Sequence, residues 1–134
     1  YSYNAVANHD VVITTQAFEA LPFLNATTHT DKAFDLVSEE DMFGEDNGGR
    51  NNAAKIIIFL TDGLSNNTAK STLKLDYGAL KDQGVSIISV GIGQYSLAEL
   101  KAVASDDKNV FTGASFADIE KITLEVAARA CQGQ

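Results

Sequence analysis

Two stretches of the chain are apolar without polar alternation. Ile56-Ile57-Ile58-Phe59-Leu60 runs into Thr61-Asp62-Gly63, and Val85-Ser86-Ile87-Ile88-Ser89-Val90-Gly91-Ile92 follows later. Short apolar runs of this kind, rich in β-branched residues, predict strands covered on both faces, as in a parallel sheet packed between helices. The first run is the expected centre of the sheet. Ligands of open parallel sheets sit beyond the carboxyl ends of the strands, so Asp62 stands where function is expected.

Helical spacing accounts for much of the remainder. Val12, Ile13, Ala17, Phe18 and Leu21 predict a short helix limited by Pro22, and Ala33, Phe34 and Val37 mark the apolar face of a second helix beginning near Thr30. Ala69, Leu73, Tyr77 and Leu80 form the inner stripe of a third, with Gly84 as its C-terminal stop. Ser96 and Glu99 have the spacing of a capping box for a helix that turns Leu97, Leu100 and Val103 inward. Val110-Phe111-Thr112 predicts a third strand. Ser115 then caps a last helix whose inner face is Phe116, Ile119, Ile122, Val126 and Ala130. Residues 1–10 suggest the end of one strand and a short edge strand. From residue 55 onward strand and helix alternate, which predicts an α/β fold with parallel strands and right-handed crossovers.

Composition narrows the function. The 134 residues suit one domain, spanning 1–134, and 45% apolar with 21% charged residues is the balance of a globular protein. The formal charge of −8 argues against nucleic acid and anionic membranes as partners, and no apolar run approaches the ~18 residues of a membrane span. The chain has neither a secretory signal nor an initiator Met, which suggests a processed product or an excised piece. Glu39, Glu40, Asp41, Glu45 and Asp46, followed by a run of Asn and Gly, read as a solvated connection. Asn25-Ala26-Thr27 and Asn66-Asn67-Thr68 have the glycosylation pattern, making Asn25 and Asn66 candidate glycan sites. With the single cysteine, Cys131, they point to a secreted or cell-surface protein. Cys131 is a buried thiol, a reactive thiol, or half of a disulfide to a partner outside this chain.

The residues from Ile56 to Gly63, the Thr28-His29-Thr30 segment with Ala33 after it, Val85 to Gly93, and Leu97 to Phe111 occur in a specific order and spacing. Together they resemble the von Willebrand factor type A domain over nearly the whole chain. The resemblance implies a doubly wound, mostly parallel sheet with helices on both faces. It also implies a divalent cation, Mg2+ (or Mn2+), in a metal-ion-dependent adhesion site at the strand ends. By position, Asp62 matches the family's aspartate and Thr28 its threonine. Carboxylate, hydroxyl and water oxygens suit such a hard cation, and an acidic side chain of a protein or extracellular-matrix ligand would complete its coordination.

The family's Asp-x-Ser-x-Ser loop does not occur in the sequence. Relative to the family the chain is N-terminally incomplete, lacking the first strand, the first helix and most of the second strand. Cation binding is therefore conditional on that loop being supplied. The family's first strand lies beside the strand matched by Ile56–Leu60, so this strand is expected to have an unpaired edge. Either a larger domain of about 40 further residues, or another polypeptide, would complete the sheet. The family's habit of tying a cysteine after the last helix to one before the first strand fits Cys131.

Three functions follow from these features. The first is an extracellular adhesion or ligand-binding module, and the second a metal-independent interaction domain of the same fold. The third, an enzyme using Asp62 for phosphotransfer, is the weakest. A dehalogenase-type pair needs an aspartate at position 60, where Leu60 stands, and no Ser/His/Asp or Cys/His set is recognisable. Gly91-Ile92-Gly93 lacks the third glycine of a dinucleotide loop and reads as a tight strand-to-helix turn.

Overall fold

A computed structural model of the protein describes residues 11–22, 27–64 and 77–132. Eight principal elements follow one another: α1 (Val11–Glu19), α2 (Thr30–Glu39), β1 (Ile56–Thr61), α3 (Tyr77–Asp82), β2 (Ser86–Ile92), α4 (Leu97–Val103), β3 (Val110–Gly113) and α5 (Ile119–Gln132). The three strands form one parallel sheet in the order β1-β2-β3. Ile56 pairs with Ser86 at one end of the β1–β2 ladder and Thr61 with Gly91 at the other. The fold is α/β, as the alternation of patterns predicts.

Side chains of β2 alternate between two cores. Val85 and Ile87 enter a cluster with Phe34 of α2, Leu80 of α3 and Val103 of α4. Ile88, Val90 and Ile92 face the opposite way, onto Val126 of α5. Helices therefore cover both faces of the sheet, and β2 is the strand buried on both.

β1 departs from its expected central, doubly buried position. Ile57 and Phe59 pack against the α2 side, and Phe59 lies 5.8 Å from Phe34 between ring centroids. On the other face Ile58 is 53% exposed and Leu60 55% exposed. Among the described residues β1 pairs with β2 alone. The apolar run reports β-branched chemistry; which neighbour covers it depends on tertiary partners.

Other details differ in instructive ways. Val12 and Phe18 of α1, and Leu21 just after it, are exposed, Ala17 is half-buried, and the side chain of Ile13 lies outside the described residues. Ala33 and Leu97 are also exposed. Phe116, expected on the inner face of α5, sits in a 3-10 turn before that helix and is 61% exposed. That turn is held by the Asp118 carboxylate, which accepts from Ser115 N–H at 3.0 Å. Gly84 ends α3 as expected, with φ +78 and Val85 N–H returning to Leu80 C=O at 3.0 Å. Gly93, at φ +73, supplies the left-handed turn after β2. The expected strand in residues 1–10, and Ala69 and Leu73 of the third helical stripe, lie outside the described residues, as does the side chain of Tyr77.

Candidate functional site

The carboxyl end of β1 carries the first site residue. Asp62 is exposed there, immediately after the last strand residue, Thr61. The turn is braced by Thr61, whose Oγ1 donates to Gly63 C=O at 3.2 Å and accepts from Gly63 N–H at 3.4 Å. This leaves the local hydrogen bonding of the turn to a neighbour of Asp62. A cavity of about 180 Å3 opens beside it, walled by Leu60, Thr61, Asp62, Ile92 and Phe116. Its walls combine one carboxylate and one hydroxyl with three apolar side chains.

Thr28 lies two residues ahead of α2 and is half-buried; it is not among the walls of that cavity. It leads into the helix that packs on the opposite sheet face from α5. His29, also half-buried, is the residue that precedes α2, and its side chain makes no cap hydrogen bond. Thr30 follows it and is buried, donating from Oγ1 to Glu99 Oε1 at 2.6 Å.

Glu99 is a site-region residue that the sequence pattern misassigns. Ser96 Oγ accepts from Glu99 N–H at 3.2 Å, which is one half of a capping box. The Glu99 carboxylate goes to Thr30 instead of returning to Ser96, because burial on the α2 side offers a tertiary donor. Its visible signal is slight: an acidic residue next to the inward Leu100 and one turn before Val103. The bond fixes the corner that contains Thr28 against the helix that leaves the carboxyl end of β2.

The donor chemistry bears on a cation. A carboxylate and a hydroxyl oxygen suit Mg2+ or Mn2+, yet they are two donors where a hard cation takes about six. Among the described residues no three His, Cys, Asp or Glu side chains group together as a metal site. Asp62 and Thr28 are thus the right kind of donor and need further oxygens from elsewhere. Among the described residues the one perturbed group, Lys81, is remote: burial lowers its pKa from 10.5, and its Nζ donates to Ala102 C=O near the far end of α4. Asn25 and Asn66 fall outside the described residues. Cys131 is a free, exposed thiol near the end of α5.

Comparison with known proteins adds an independent line. The sequence pattern of the von Willebrand factor type A domain matches residues 6–125. Rabbit (Oryctolagus cuniculus) collagen alpha-1(XII) chain is 30% identical over 118 residues, covering 87% of this chain and 18% of that protein. Mouse (Mus musculus) collagen alpha-4(VI) chain is 28% identical over 107 residues, covering 80% of this chain and 4% of that one. Among solved structures, proximal thread matrix protein 1 from the mussel byssus, with a zinc-occupied MIDAS motif, superposes with a TM-score of 0.75 at 26% identity. That match covers 90% of this chain and 29% of the thread protein, so the chain spans a minor part of each of these relatives.

Proposed function

The chain belongs to the von Willebrand factor type A domain family, and from that premise we propose that it is an extracellular adhesion module binding protein or matrix ligands. The observation that carries this reading is the exposed Asp62 at the carboxyl end of a parallel strand, beside an open cavity. Similarity to collagens and to a byssal matrix protein supports an extracellular, matrix-facing role. Binding rather than catalysis suits a site with one exposed carboxylate and, among the described residues, no grouped nucleophile and base.

In this reading Asp62 and Thr28 contribute two oxygens to a divalent cation, conditional on an Asp-x-Ser-x-Ser loop being supplied for the remaining donors. When bound, the cation offers an open coordination position to an acidic side chain of the partner. Asp62 lies on the exposed rim where such a side chain can reach it, and the Thr30–Glu99 bond steadies the corner that carries Thr28. The second reading, a metal-independent interaction domain, is favoured by the absence of Thr28 from the walls around Asp62. Calorimetric titration with Mn2+ of the complete domain, with the Asp-x-Ser-x-Ser loop supplied, separates them. Heat that Asp62→Ala abolishes, together with matrix capture that EDTA prevents, supports the first; capture indifferent to EDTA supports the second.

A further inference from the structure

We propose that Asn47 is a modification site, where water converts the side-chain amide to aspartate and isoaspartate when the loop after α2 opens. The converted residue then keeps that loop, and the last turn of α2, from closing as before. The inference goes beyond the adhesion reading above and needs neither its cation nor its ligand.

The sequence supplies the first argument. Asn47 is the only asparagine in the chain that a glycine follows. A glycine nitrogen approaches the preceding side chain with no Cβ in the way. In the reaction the Gly48 nitrogen gives its proton to a solvent base and attacks Asn47 Cγ. A C–N bond forms, the Cγ–Nδ2 bond breaks, and Nδ2 takes up a proton and leaves as ammonia. Water then opens the cyclic imide at either carbonyl, giving aspartate or isoaspartate, and nothing is oxidised or reduced.

The fold holds both reacting groups. Gly48 N–H donates to Glu45 C=O at 3.0 Å, with Gly48 in the left-handed region at φ +85. Asn47 Nδ2 donates to Glu40 C=O at 2.8 Å and to Asp41 C=O at 3.1 Å. The nitrogen that must lose a proton and the amide that must turn toward it are both engaged. Attack therefore waits for the 41–49 loop to open, and the product accumulates as a record of those openings.

The work of the amide explains why the change is one-way. Glu40 caps the C-terminus of α2, where helix carbonyls lack intrahelical partners, and the Asn47 NH2 group serves the Glu40 and Asp41 carbonyls together. A carboxylate has no proton to give them and adds negative charge at the negative end of the helix dipole. Glu39, Glu40, Asp41, Glu45 and Asp46 precede the position, with Arg50 the nearest base in sequence, so the new charge is repelled. Isoaspartate also inserts an extra carbon into a backbone so tight that Gly49 has no room for a Cβ beside Phe43 C=O. Phe43 and Val37 pack on the core cluster of Phe34 and Leu80, and this packing loosens with the loop.

Peptide mapping by mass spectrometry tests the proposal on the protein held at mildly alkaline pH, folded and in urea. The amide-to-acid mass change is expected first at Asn47, ahead of Asn51 and Asn109, with the modified peptide split into aspartate and isoaspartate forms. Asp62-Gly63 isomerises without a change of mass, so the mass readout belongs to asparagine. Urea should speed the conversion by about tenfold or more, because unfolding frees both groups. Conversion first at another asparagine, or at equal rates folded and unfolded, overturns the proposal. Asn47→Asp should lower the denaturation midpoint and quicken amide exchange at Asp41 and Met42, whose N–H groups return to Ser38 and Val37 at the end of α2. Asn47→Ala loses the two bonds and adds no charge, so it should fall between wild type and Asn47→Asp, with salt narrowing the gap between the variants. A midpoint and exchange unchanged in Asn47→Asp also overturn the proposal. Partly converted wild type, separated by ion exchange, supplies the same comparison if Asn47→Asp does not fold.

Discussion

Thr30 Oγ1 donates a 2.6 Å hydrogen bond to Glu99 Oε1, joining the first residue of α2 to the first turn of α4 across 69 positions of sequence. Both side chains are buried. A buried carboxylate is costly to leave without a donor, so the pair constrains both helices at once. It also closes the polar rim of the core that Phe34 and Val103 fill one helical turn further on.

Thr30→Val is expected to destabilise the fold by about 1–3 kcal/mol, since Glu99 loses a donor in a buried setting. Glu99→Gln keeps an acceptor oxygen and should cost less than Glu99→Ala. Urea denaturation of the two single variants, Thr30→Val and Glu99→Ala, and their double should give a coupling of about 0.5–3 kcal/mol. A coupling near zero means the bond does not hold the corner.

Gly91 is constrained by space. A Cβ there would lie 2.6 Å from Leu100 Cδ1 and 2.7 Å from Tyr95 Cγ, and Leu100 is fully buried. Gly91→Ala should therefore cost about 1–3 kcal/mol through overpacking, read as a lowered denaturation midpoint. Pairing it with Leu100→Ala should recover part of the loss relative to the sum of the single changes.

Asn109 ties α5 to the sheet. Its Nδ2 donates to Ile87 C=O at 3.2 Å, and its Oδ1 accepts from Arg129 Nε at 2.6 Å. Asn109→Ala removes both bonds in a buried position and is expected to cost about 1–3 kcal/mol. Amide exchange near Arg129 should quicken in that variant; unchanged exchange would mean that the tie is dispensable.

Lys81 introduces a pH dependence. Desolvation lowers its pKa below 10.5, so the folded state releases this proton before the unfolded chain does. In the window just under pH 10.5 the unfolded state binds more protons, and the contribution of Lys81 to stability rises with pH. Denaturation curves of wild type and Lys81→Met should diverge in that window, with wild type gaining relative to the variant as pH increases. Parallel curves would show that Lys81 keeps its ordinary proton affinity.

Much of the frame is legible in the residues themselves. β2 and β3 fall where their apolar runs place them, and Gly84 and Gly93 turn the chain where glycine's freedom is required. What composition hides is the identity of the neighbour. Ile56–Leu60 and Ile87–Ile92 have similar chemistry, yet among the described residues the first is paired on one side and the second on both, because burial is decided by elements remote in sequence. Glu99 shows the same principle in a polar residue: its local spacing suits a cap, and a distant hydroxyl wins the carboxylate. For the candidate site, Asp62 at a strand end is readable from the strand pattern alone. Thr28 enters only through resemblance, since nothing in a loop hydroxyl marks it as a ligand.

The alternation of β2 between two cores has a kinetic consequence. Val85 and Ile87 are held by α2, α3 and α4, while Ile88, Val90 and Ile92 are held by α5. Detaching one layer of helices leaves the other still gripping the strand. Its amide protons can therefore meet solvent only when both layers have come away, and they report the slowest clock in the molecule: the lifetime of the whole fold.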